Sequence, residues 1–364
     1  MHELNAPIRV LHVMGSIGLN NGVSSVVMNY YSKLDHSKLT FDFMLNEDVD
    51  TDIRAYIEGN GSKIYIMPEL KVKNTFRYVK KLREFYRTTD YKIIHGHVAN
   101  SAIFYLGLAR NVPYRIIHSH NTRLADIWWK CIRNWVLTRF IKFVANKYIA
   151  CSEEAAKSLF GKNNNTFILN NAIDVEKFAF SPEKREEIRK NLQINDKIVI
   201  GHVGRFCAQK NHSFLLDVFS QAYKENPNLV LMLLGDGELR ARIARKATTL
   251  GLRDAVFLLG TKENVYDYMS AMDVFVLPSL FEGLAVVGIE AQASGLRVIS
   301  SLKVSEEINI TDTVEFLDLD SRLWVQALLS DKFMDRTDMG LKVRQSGFNV
   351  ETQLERLCKY YEGL

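Results

Sequence analysis

Two glutamates eight residues apart are the feature of the sequence with the clearest chemical meaning. Glu282 lies in a turn that follows an apolar run, residues 274–277, and Glu290 lies in a second apolar run, residues 284–293. The first run predicts a buried strand and the second a helix. A helix that begins after a Gly-containing turn presents backbone N–H groups to an anion, and its side chains lean toward its N-terminus. The segment therefore predicts a site for a phosphorylated sugar, with carboxylates for its hydroxyls.

A second group of polar residues follows another apolar run, residues 197–203, in the same half of the chain. Gly204 and Arg205 come directly after this predicted strand, and Lys210 follows shortly afterwards. A guanidinium and an ammonium at the carboxyl end of a strand can neutralise the charge of a diphosphate leaving group. Such side chains are more often solvated surface charges, so this interpretation depends on the two glutamates nearby.

Strand and helix signals alternate along both halves of the chain. Apolar strand patterns occur at 9–14, 92–97, 114–118, 147–151 and 167–171, and again at 197–203, 229–234, 255–259, 274–277 and 297–300. Strands that alternate with helices form parallel sheets with helices on both faces. The two runs are separated by a polar stretch at 181–197. They predict two Rossmann-like domains with ligands at the carboxyl ends of the strands.

The chain resembles the retaining glycosyltransferases of family 4, a large group with the GT-B fold. The segment from Pro278 to Ala291 is similar to the family's Glu-x7-Glu motif, and the segment from Gly204 to Asn211 is similar to its Gly-Arg-x4-Lys-Asn motif. The resemblance implies two Rossmann-like domains that face each other across a cleft, with a C-terminal helix crossing back to the first. The implied boundaries are 1–180 for the acceptor domain, 181–345 for the nucleotide-sugar domain and 346–364 for the helix.

The same resemblance assigns roles to individual residues. It implies that Glu282 and Glu290 hold the sugar and the ribose, and that Arg205 and Lys210 stabilise the diphosphate, so that no metal or other cofactor is expected. The implied catalytic residues are His120, Arg205, Lys210 and Glu282. The implied donor-binding residues are Gly22, Gly204, Arg205, Lys210, Thr261, Lys262, Glu282, Gly283, Leu284, Ala285, Val286 and Glu290.

Histidines in the first half supply the remaining candidate. His118 and His120 end a predicted strand, and the family places a histidine near here that hydrogen bonds to the donor sugar. His120 aligns best with it. His95 and His97 on another strand could join them as zinc ligands, but the two pairs have no cysteine or carboxylate beside them, and we expect no metal site.

The loop at 15–22 corresponds to the Gly-rich loop after the first strand of these enzymes. Glycine there lets the backbone approach a ligand closely. The family usually has Gly-Gly-x-Glu, whereas this chain has Asn21, Gly22, Val23 and Ser24. Gly22 is still expected near the donor phosphate, but the change keeps open a non-catalytic role for the chain.

Composition restricts the class of protein. The chain has 364 residues, of which 47% are hydrophobic and 24% charged, as in globular proteins of two domains. No apolar run approaches the ~20 residues of a membrane span, and the N-terminus does not have the pattern of a signal peptide. The four cysteines form no CxxC pair. We therefore expect a cytoplasmic protein.

Basic charge is concentrated in the first half. Residues 1–180 contain 24 Lys and Arg against 16 Asp and Glu, chiefly because of the segments 71–87 and 123–147, and the second segment contains three tryptophans. Basic segments with aromatic residues are typical of proteins that lie on an anionic membrane surface, and equally of solvated helices with buried aromatics. Peripheral association with the inner face of the plasma membrane is one expectation. No nucleic-acid recognition module is present, so nucleic acid is not expected as a partner.

The resemblance implies retaining transfer of a hexose or N-acetylhexosamine from a nucleotide sugar, with UDP as the expected nucleotide, to a glycan acceptor. The acceptor is expected to be a lipid-linked oligosaccharide in exopolysaccharide or capsule synthesis. Two alternatives share the fold: a non-catalytic partner subunit of another transferase, and a nucleotide-sugar 2-epimerase. A nicotinamide oxidoreductase would require a GxGxxG fingerprint followed by an acidic residue, and the sequence has none.

Overall fold

The structure is a computed structural model that describes residues 7–18, 22–120, 138–161, 165–330, 336 and 339–364. The chain divides into two compact units. The first consists of Met1–Asn171 and Val350–Leu364, and the second of Ala172–Asn349. Both units are parallel sheets with helices in the connections, which is the α/β architecture that the alternating sequence pattern predicts.

The first unit contains a seven-stranded parallel sheet in the order β3-β2-β1-β4-β5-β6-β7. Its strands are β1 (Ile8–Val13), β2 (Leu39–Leu45), β3 (Ile64–Ile66), β4 (Ile93–Gly96), β5 (Tyr114–Ser119), β6 (Lys147–Ala150) and β7 (Thr166–Ile168). Its helices are α1 (Gly22–Ser32), α2 (Thr51–Gly59), α3 (Thr75–Thr88), α4 (Ala102–Tyr105), α5 (Ile141–Val144), α6 (Glu153–Phe160) and α14 (Val350–Glu362).

The strand β2 is absent from the sequence-based prediction, because Asp42 interrupts its apolar pattern. Every residue of β2 is nevertheless buried. The Asp42 carboxylate accepts hydrogen bonds from the Arg9 guanidinium at 2.9 Å, the Tyr91 hydroxyl at 2.7 Å and the backbone N–H of Lys63 at 2.6 Å. A buried carboxylate is tolerated when its oxygens are paired in this way. A charged residue in a short apolar run thus concealed a core strand.

The last helix, α14, belongs to the first unit and packs against α1. Its buried residues are Val350, Gln353, Leu354, Leu357 and Tyr361, which lie on one face at helical spacing. The Tyr361 hydroxyl is hydrogen bonded to Nδ1 of His95 at 2.5 Å, and Tyr360 stacks on Phe167 with ring centroids 4.6 Å apart. The end of the chain therefore completes the core of the unit in which the chain begins.

The second unit contains a six-stranded parallel sheet in the order β10-β9-β8-β11-β12-β13. Its strands are β8 (Ile198–Val203), β9 (Leu229–Leu234), β10 (Val256–Gly260), β11 (Val274–Leu277), β12 (Arg297–Ser301) and β13 (Val314–Leu317). Its helices are α7 (Pro182–Leu192), α8 (His212–Glu225), α9 (Arg240–Thr249), α10 (Val265–Ala271), α11 (Val286–Ala293), α12 (Ser321–Leu329) and α13 (Met339–Val343).

Close packing fixes α11 against β11. Gly288 faces the strand, and a Cβ atom at this position would lie 3.0 Å from Leu277 Cδ1 and 3.2 Å from Ile308 Cδ1. Ala285, Ile289 and other residues around the helix are buried in the core of the unit. The helix begins at Val286 and not at Leu284 as the sequence predicted, because residues 283–285 continue the turn after β11.

Within the described ranges, no helix is long and apolar enough to cross a membrane.

Candidate active site

Four loops lie at one edge of the second sheet, and three of them, after β8, β10 and β11, carry predicted site residues. The four loops follow β8, β9, β10 and β11, which are adjacent parallel strands and so end at the same edge. The chain proceeds from β8 outward to β9 and β10, then returns to the other side of β8 to form β11. In open parallel sheets, the crevice at such a change of direction is the usual ligand site. The loops after β8 and β11 flank this position.

A partly buried ion pair at this edge joins Lys210 and Glu282. The Lys210 ammonium lies 2.7 Å from Glu282 Oε1, and the two side chains are only 15% and 10% exposed. The hydroxyl of the fully buried Ser279 also donates to the Glu282 carboxylate. The structure thus brings together one predicted leaving-group contact and one predicted sugar contact, and Ser279, which the sequence analysis did not identify, orients the carboxylate.

Arg205 lies on the surface of the second unit. Its side chain is 61% exposed, and its guanidinium is 3.3 Å from the carboxylate of Glu238, which is 55% exposed. An exposed pair of this kind contributes little stability and separates easily. The guanidinium is therefore free to rotate toward a bound anion, but the described structure does not place it beside Lys210.

The backbone around Gly204 is packed too closely for side chains. A Cβ atom at Gly204 would lie 3.0 Å from His202 Nε2 and 3.2 Å from the Lys210 side chain. A Cβ atom at Gly235, whose φ is +125°, would lie 2.2 Å from the Gly204 carbonyl oxygen. Gly235 is therefore required by its contact with Gly204 and by its backbone conformation, and Gly204 lets this loop pack closely against the Lys210 side chain.

Gln209 connects the loops after β8 and β11, and the sequence analysis missed it. Its side-chain amide N–H donates to the Phe281 carbonyl at 2.9 Å, and its backbone carbonyl accepts from the Leu280 N–H at 2.8 Å. Gln209 immediately precedes Lys210, so the two bonds fix the position of the lysine relative to Glu282. Its location inside the Arg205–Lys210 segment was the signal available in the sequence.

The N-terminus of α11 has no side-chain cap. Ala285 occupies the N-cap position and is buried, and Gly283 and Leu284 precede it. The first N–H groups of an α-helix have no partner within the helix, so the uncapped start at Val286 offers them to an anion. This is the helix start that the sequence predicted, displaced by two residues.

Glu290 lies one turn further along α11, in a low-dielectric environment. Desolvation raises the pKa of its carboxyl to about 7, and the positive charges of Lys177 and Lys210 oppose that shift. The side chain retains partial contact with solvent. A carboxyl group whose pKa lies near neutrality accepts hydrogen bonds from sugar hydroxyls at both oxygens only in the fraction of molecules in which it is ionised.

Thr261 and Lys262 directly follow β10, at the same edge of the sheet but further from β11. Both are partly buried. The Lys262 ammonium lies 5.6 Å from the centroid of the Tyr268 ring, within range of a cation–π contact. Because β10 is the edge strand of the sheet and β9 and β8 separate it from β11, Thr261 and Lys262 could contact the far end of an extended ligand that begins near β11.

In the first unit, Gly22 is the first residue of α1 and is exposed. A Cβ atom at Gly22 would meet no atom within 4 Å, so packing does not require glycine there. The Ser24 hydroxyl accepts a hydrogen bond from the Gly18 N–H at 3.0 Å. Residues 19–21 of this loop lie outside the described residues, as do 123–137 of the second basic segment.

His120 belongs to a cluster of five histidines at the carboxyl end of the first sheet. Its other members are His12 on β1, His95 on β4, His97 directly after β4 and His118 on β5. Three of the rings form a row: His12 Nδ1 is 3.0 Å from His97 Nε2, and His97 Nδ1 is 2.8 Å from His120 Nε2. His120 Nδ1 is 3.2 Å from Asn171 Oδ1.

Burial keeps these imidazoles neutral. Desolvation lowers the pKa of His120 to about 4, and the hydrogen bond from its ring to Asn171 opposes that shift. Desolvation and the neighbouring rings lower the pKa of His97 well below its usual value. Ring nitrogens of two triads, His12–His95–His97 and His97–His118–His120, lie within 4.8 Å of one another. The shortest of these separations are hydrogen bonds between rings, so those nitrogens are already paired.

Two parallel-sheet Rossmann-like units, with a cation, a carboxylate and an open helix start at the switch point of the second, are the arrangement expected of a transferase with the GT-B fold. Comparisons with known proteins agree. The family model of glycosyl transferases group 1 matches residues 184–308. The chain is 36% identical over 317 residues to the putative glycosyltransferase EpsF of Bacillus subtilis. The aligned part covers 83% of this chain and 81% of EpsF.

A second relative and a solved structure extend the comparison over the full length. The chain is 24% identical over 389 residues to an Escherichia coli UDP-Gal:alpha-D-GlcNAc-diphosphoundecaprenol alpha-1,3-galactosyltransferase, covering 99% of this chain and 98% of that protein. The crystal structure of Anabaena HepE with UDP and glucose superposes with a TM-score of 0.80 at 17% identity, covering 98% of this chain and 100% of HepE. This chain belongs to the glycosyl transferases of group 1, and it is a glycosyltransferase with the GT-B fold.

Proposed function

We propose that this glycosyltransferase transfers a hexose or N-acetylhexosamine from a UDP sugar to a glycan acceptor, with retention of the anomeric configuration. The observation that carries the proposal is the partly buried Lys210–Glu282 pair at the switch point of the second sheet, beside the uncapped start of α11. Lys210 and the helix N–H groups face the diphosphate, and Glu282 accepts hydrogen bonds from the sugar. Glu290 accepts hydrogen bonds from the ribose.

The reaction follows from where charge develops. As the bond from the anomeric carbon to the diphosphate breaks, negative charge grows on the departing oxygen, and fixed positive groups stabilise it. The acceptor hydroxyl bonds to the same face of that carbon, and the departing diphosphate takes its proton. Lys210 supplies the positive charge without a metal, and Arg205 can add to it after leaving Glu238. His120 keeps its proposed role of hydrogen bonding to the donor sugar.

The names of relatives support the donor and acceptor classes. The Escherichia coli relative is named for a UDP-galactose donor and a diphosphoundecaprenol-linked acceptor. A Staphylococcus aureus relative, 25% identical over 337 residues, is named as a capsular polysaccharide biosynthesis glycosyltransferase. We therefore propose that the acceptor is a lipid-linked oligosaccharide of exopolysaccharide or capsule synthesis.

A panel of UDP sugars, assayed by release of UDP with and without a lipid-linked saccharide acceptor in EDTA, tests this proposal. We expect one donor to be turned over without added metal, and the product to have the anomeric configuration of the donor by NMR. Binding of UDP sugars without turnover, with or without acceptor, would favour the non-catalytic partner role. Conversion of the donor sugar to its 2-epimer would favour the epimerase.

We also propose that the first unit touches an anionic membrane through residues 71–87, where a lipid-linked acceptor would be found. Two apolar side chains in this segment are almost fully exposed, Val72 at 97% and Phe76 at 94%. Tyr78, Leu82 and Phe85 bury the opposite face of α3 in the core. The segment 71–87 contains seven Lys and Arg residues and one Glu. Exposed apolar side chains within a basic surface are typical of membrane-docking elements.

Replacing both exposed side chains, in Val72→Asp/Phe76→Asp, is expected to reduce co-sedimentation with vesicles of phosphatidylglycerol at least fivefold. Leu323→Asp is the matched control, because Leu323 is 42% exposed on α12 of the other unit. Neutral phosphatidylcholine vesicles should bind the wild-type protein weakly. Equal sedimentation of wild type and double variant would exclude this surface as the contact.

A further inference from the structure

The row of histidines in the first unit is unusual because each ring bonds to another ring. A neutral imidazole carries one proton, so it can donate from one nitrogen and accept at the other. Two proton arrangements satisfy all three bonds of the row His12–His97–His120–Asn171, and the second also requires the Asn171 amide to be turned so that its NH2 group takes the place of Oδ1, because an amide oxygen only accepts. In one, protons point from His12 toward Asn171. In the other, they all point the opposite way.

The free end of the row selects between these arrangements. Nε2 of His12 is buried and has no hydrogen-bond partner among the described residues. In the reverse arrangement, this atom would be a buried N–H group without an acceptor, which is rare in proteins. In the forward arrangement it is a lone pair, and Asn171 Oδ1 accepts from His120. The forward arrangement places the proton of His12, His97 and His120 on Nδ1 in each ring.

The surroundings keep the row uncharged. Among the described residues, the titratable groups that face it are His95 on β4, His118 on β5, whose ring stacks on His120 with centroids 3.9 Å apart, and Tyr361 on α14, which bonds to His95. In the forward arrangement, the His97 N–H occupies the Nε2 lone pair of His120. His120 can then gain a proton only after the 2.8 Å bond to His97 breaks.

We propose that His97, held in place by His12, is a positioning residue that fixes His120 as the neutral Nδ1–H tautomer. The catalytic consequence rests on the proposed function: His120 keeps a neutral ring with its N–H at Nδ1 across the working pH range, and it bonds to the donor sugar by exchanging its 3.2 Å bond to Asn171 for one to a sugar oxygen. A ring that is locked neutral adds no charge of its own, so the stabilising positive charge of the proposed mechanism comes from Lys210 and the helix start.

The proton positions can be measured without substrate, by long-range ¹H–¹⁵N correlation of the wild-type protein labelled at its histidines. We expect protonated Nδ1 and unprotonated Nε2 at His12, His97 and His120, unchanged between pH 8 and pH 5.5. Assignment by single His→Asn variants uses the same spectra. A protonated Nε2 at His120 would overturn the proposal, whatever the outcome of the transferase assay.

Two variants of His97 separate its hydrogen bond from its bulk. His97→Leu removes the donor, and we expect the midpoint of His120 titration to rise by at least one pH unit, with an acidic limb appearing in the pH profile of kcat. His97→Asn places an amide donor near the position of Nδ1, and we expect it to restore the wild-type midpoint. His36→Gln, outside the row, is the control. An unchanged midpoint in a folded His97→Leu protein would also overturn the proposal.

Discussion

Lys210→Ala is expected to lower kcat by about 100- to 1,000-fold, the usual cost of removing one fixed group that stabilises developing negative charge. The Lys210 ammonium is 15% exposed and already oriented by its bond to Glu282, so it does not have to move to meet the charge. Its effect should appear mainly in kcat, because the charge on the departing diphosphate is greatest in the transition state. The measurement is steady-state kinetics with the donor identified by the UDP sugar panel.

Two further variants test whether the loss is catalytic or structural. Lys246 is also held by a carboxylate, at 2.6 Å from Asp217, but lies on α9 away from the strand ends. Lys246→Ala should therefore leave kcat within about twofold. Lys210→Ala also leaves Glu282 without its cation, so Lys210→Ala/Glu282→Gln removes both charges. If the double variant recovers wild-type kcat, Lys210 acts only by neutralising Glu282 and does not stabilise the leaving group.

Glu290→Ala is expected to raise the donor KM by about 10- to 100-fold, the range for losing hydrogen bonds to a charged group. Because burial raises the pKa of this carboxyl to about 7, the wild-type enzyme should also bind donor better as pH rises from 6 to 8. Donor binding should improve with rising pH because the fraction of ionised carboxylate rises, and only the ionised form accepts hydrogen bonds at both oxygens. The measurement is donor KM across that pH range.

Glu290→Gln should abolish this pH dependence, since an amide does not titrate there. Glu238→Gln is the control, because Glu238 is an exposed carboxylate of the same unit that contacts Arg205. It should retain the wild-type pH profile of KM. If the profile persists in Glu290→Gln, another group is responsible, and Glu290 does not hold the ribose through its charge.

The architecture was predictable from local patterns because each parallel strand ends in a turn that is visible in the sequence. The apolar runs before Gly204 and Pro278 correctly predicted β8 and β11, and the helix predicted after Gly283 begins within two residues of its predicted start. The strand β2 was not predicted, because burial of Asp42 depends on Arg9, Tyr91 and Lys63, which are distant along the chain. The apolar pattern of a short segment carries no information about contacts with residues that are distant along the chain.

The site was predictable as a set of residues but not as a set of contacts. Lys210 and Glu282 were both identified, but their ion pair depends on the crossover that makes β8 and β11 neighbours. The row of histidines depends in the same way on the adjacency of β1, β4 and β5. Ser279 and Gln209 were not predicted, since serine and glutamine are common in loops and their contacts with Glu282 and with the loop after β11 depend on the fold.

The position of α14 has a consequence for protein engineering. Chimeras that exchange acceptor specificity between relatives would ordinarily use one crossover, near Asn171. In this chain, a single crossover would combine the helix of one parent with the sheet of the other, and would separate Tyr361 from His95 and Tyr360 from Phe167. Exchange of the first unit therefore requires two crossovers, one after Asn171 and one before Val350, so that both segments come from the same parent.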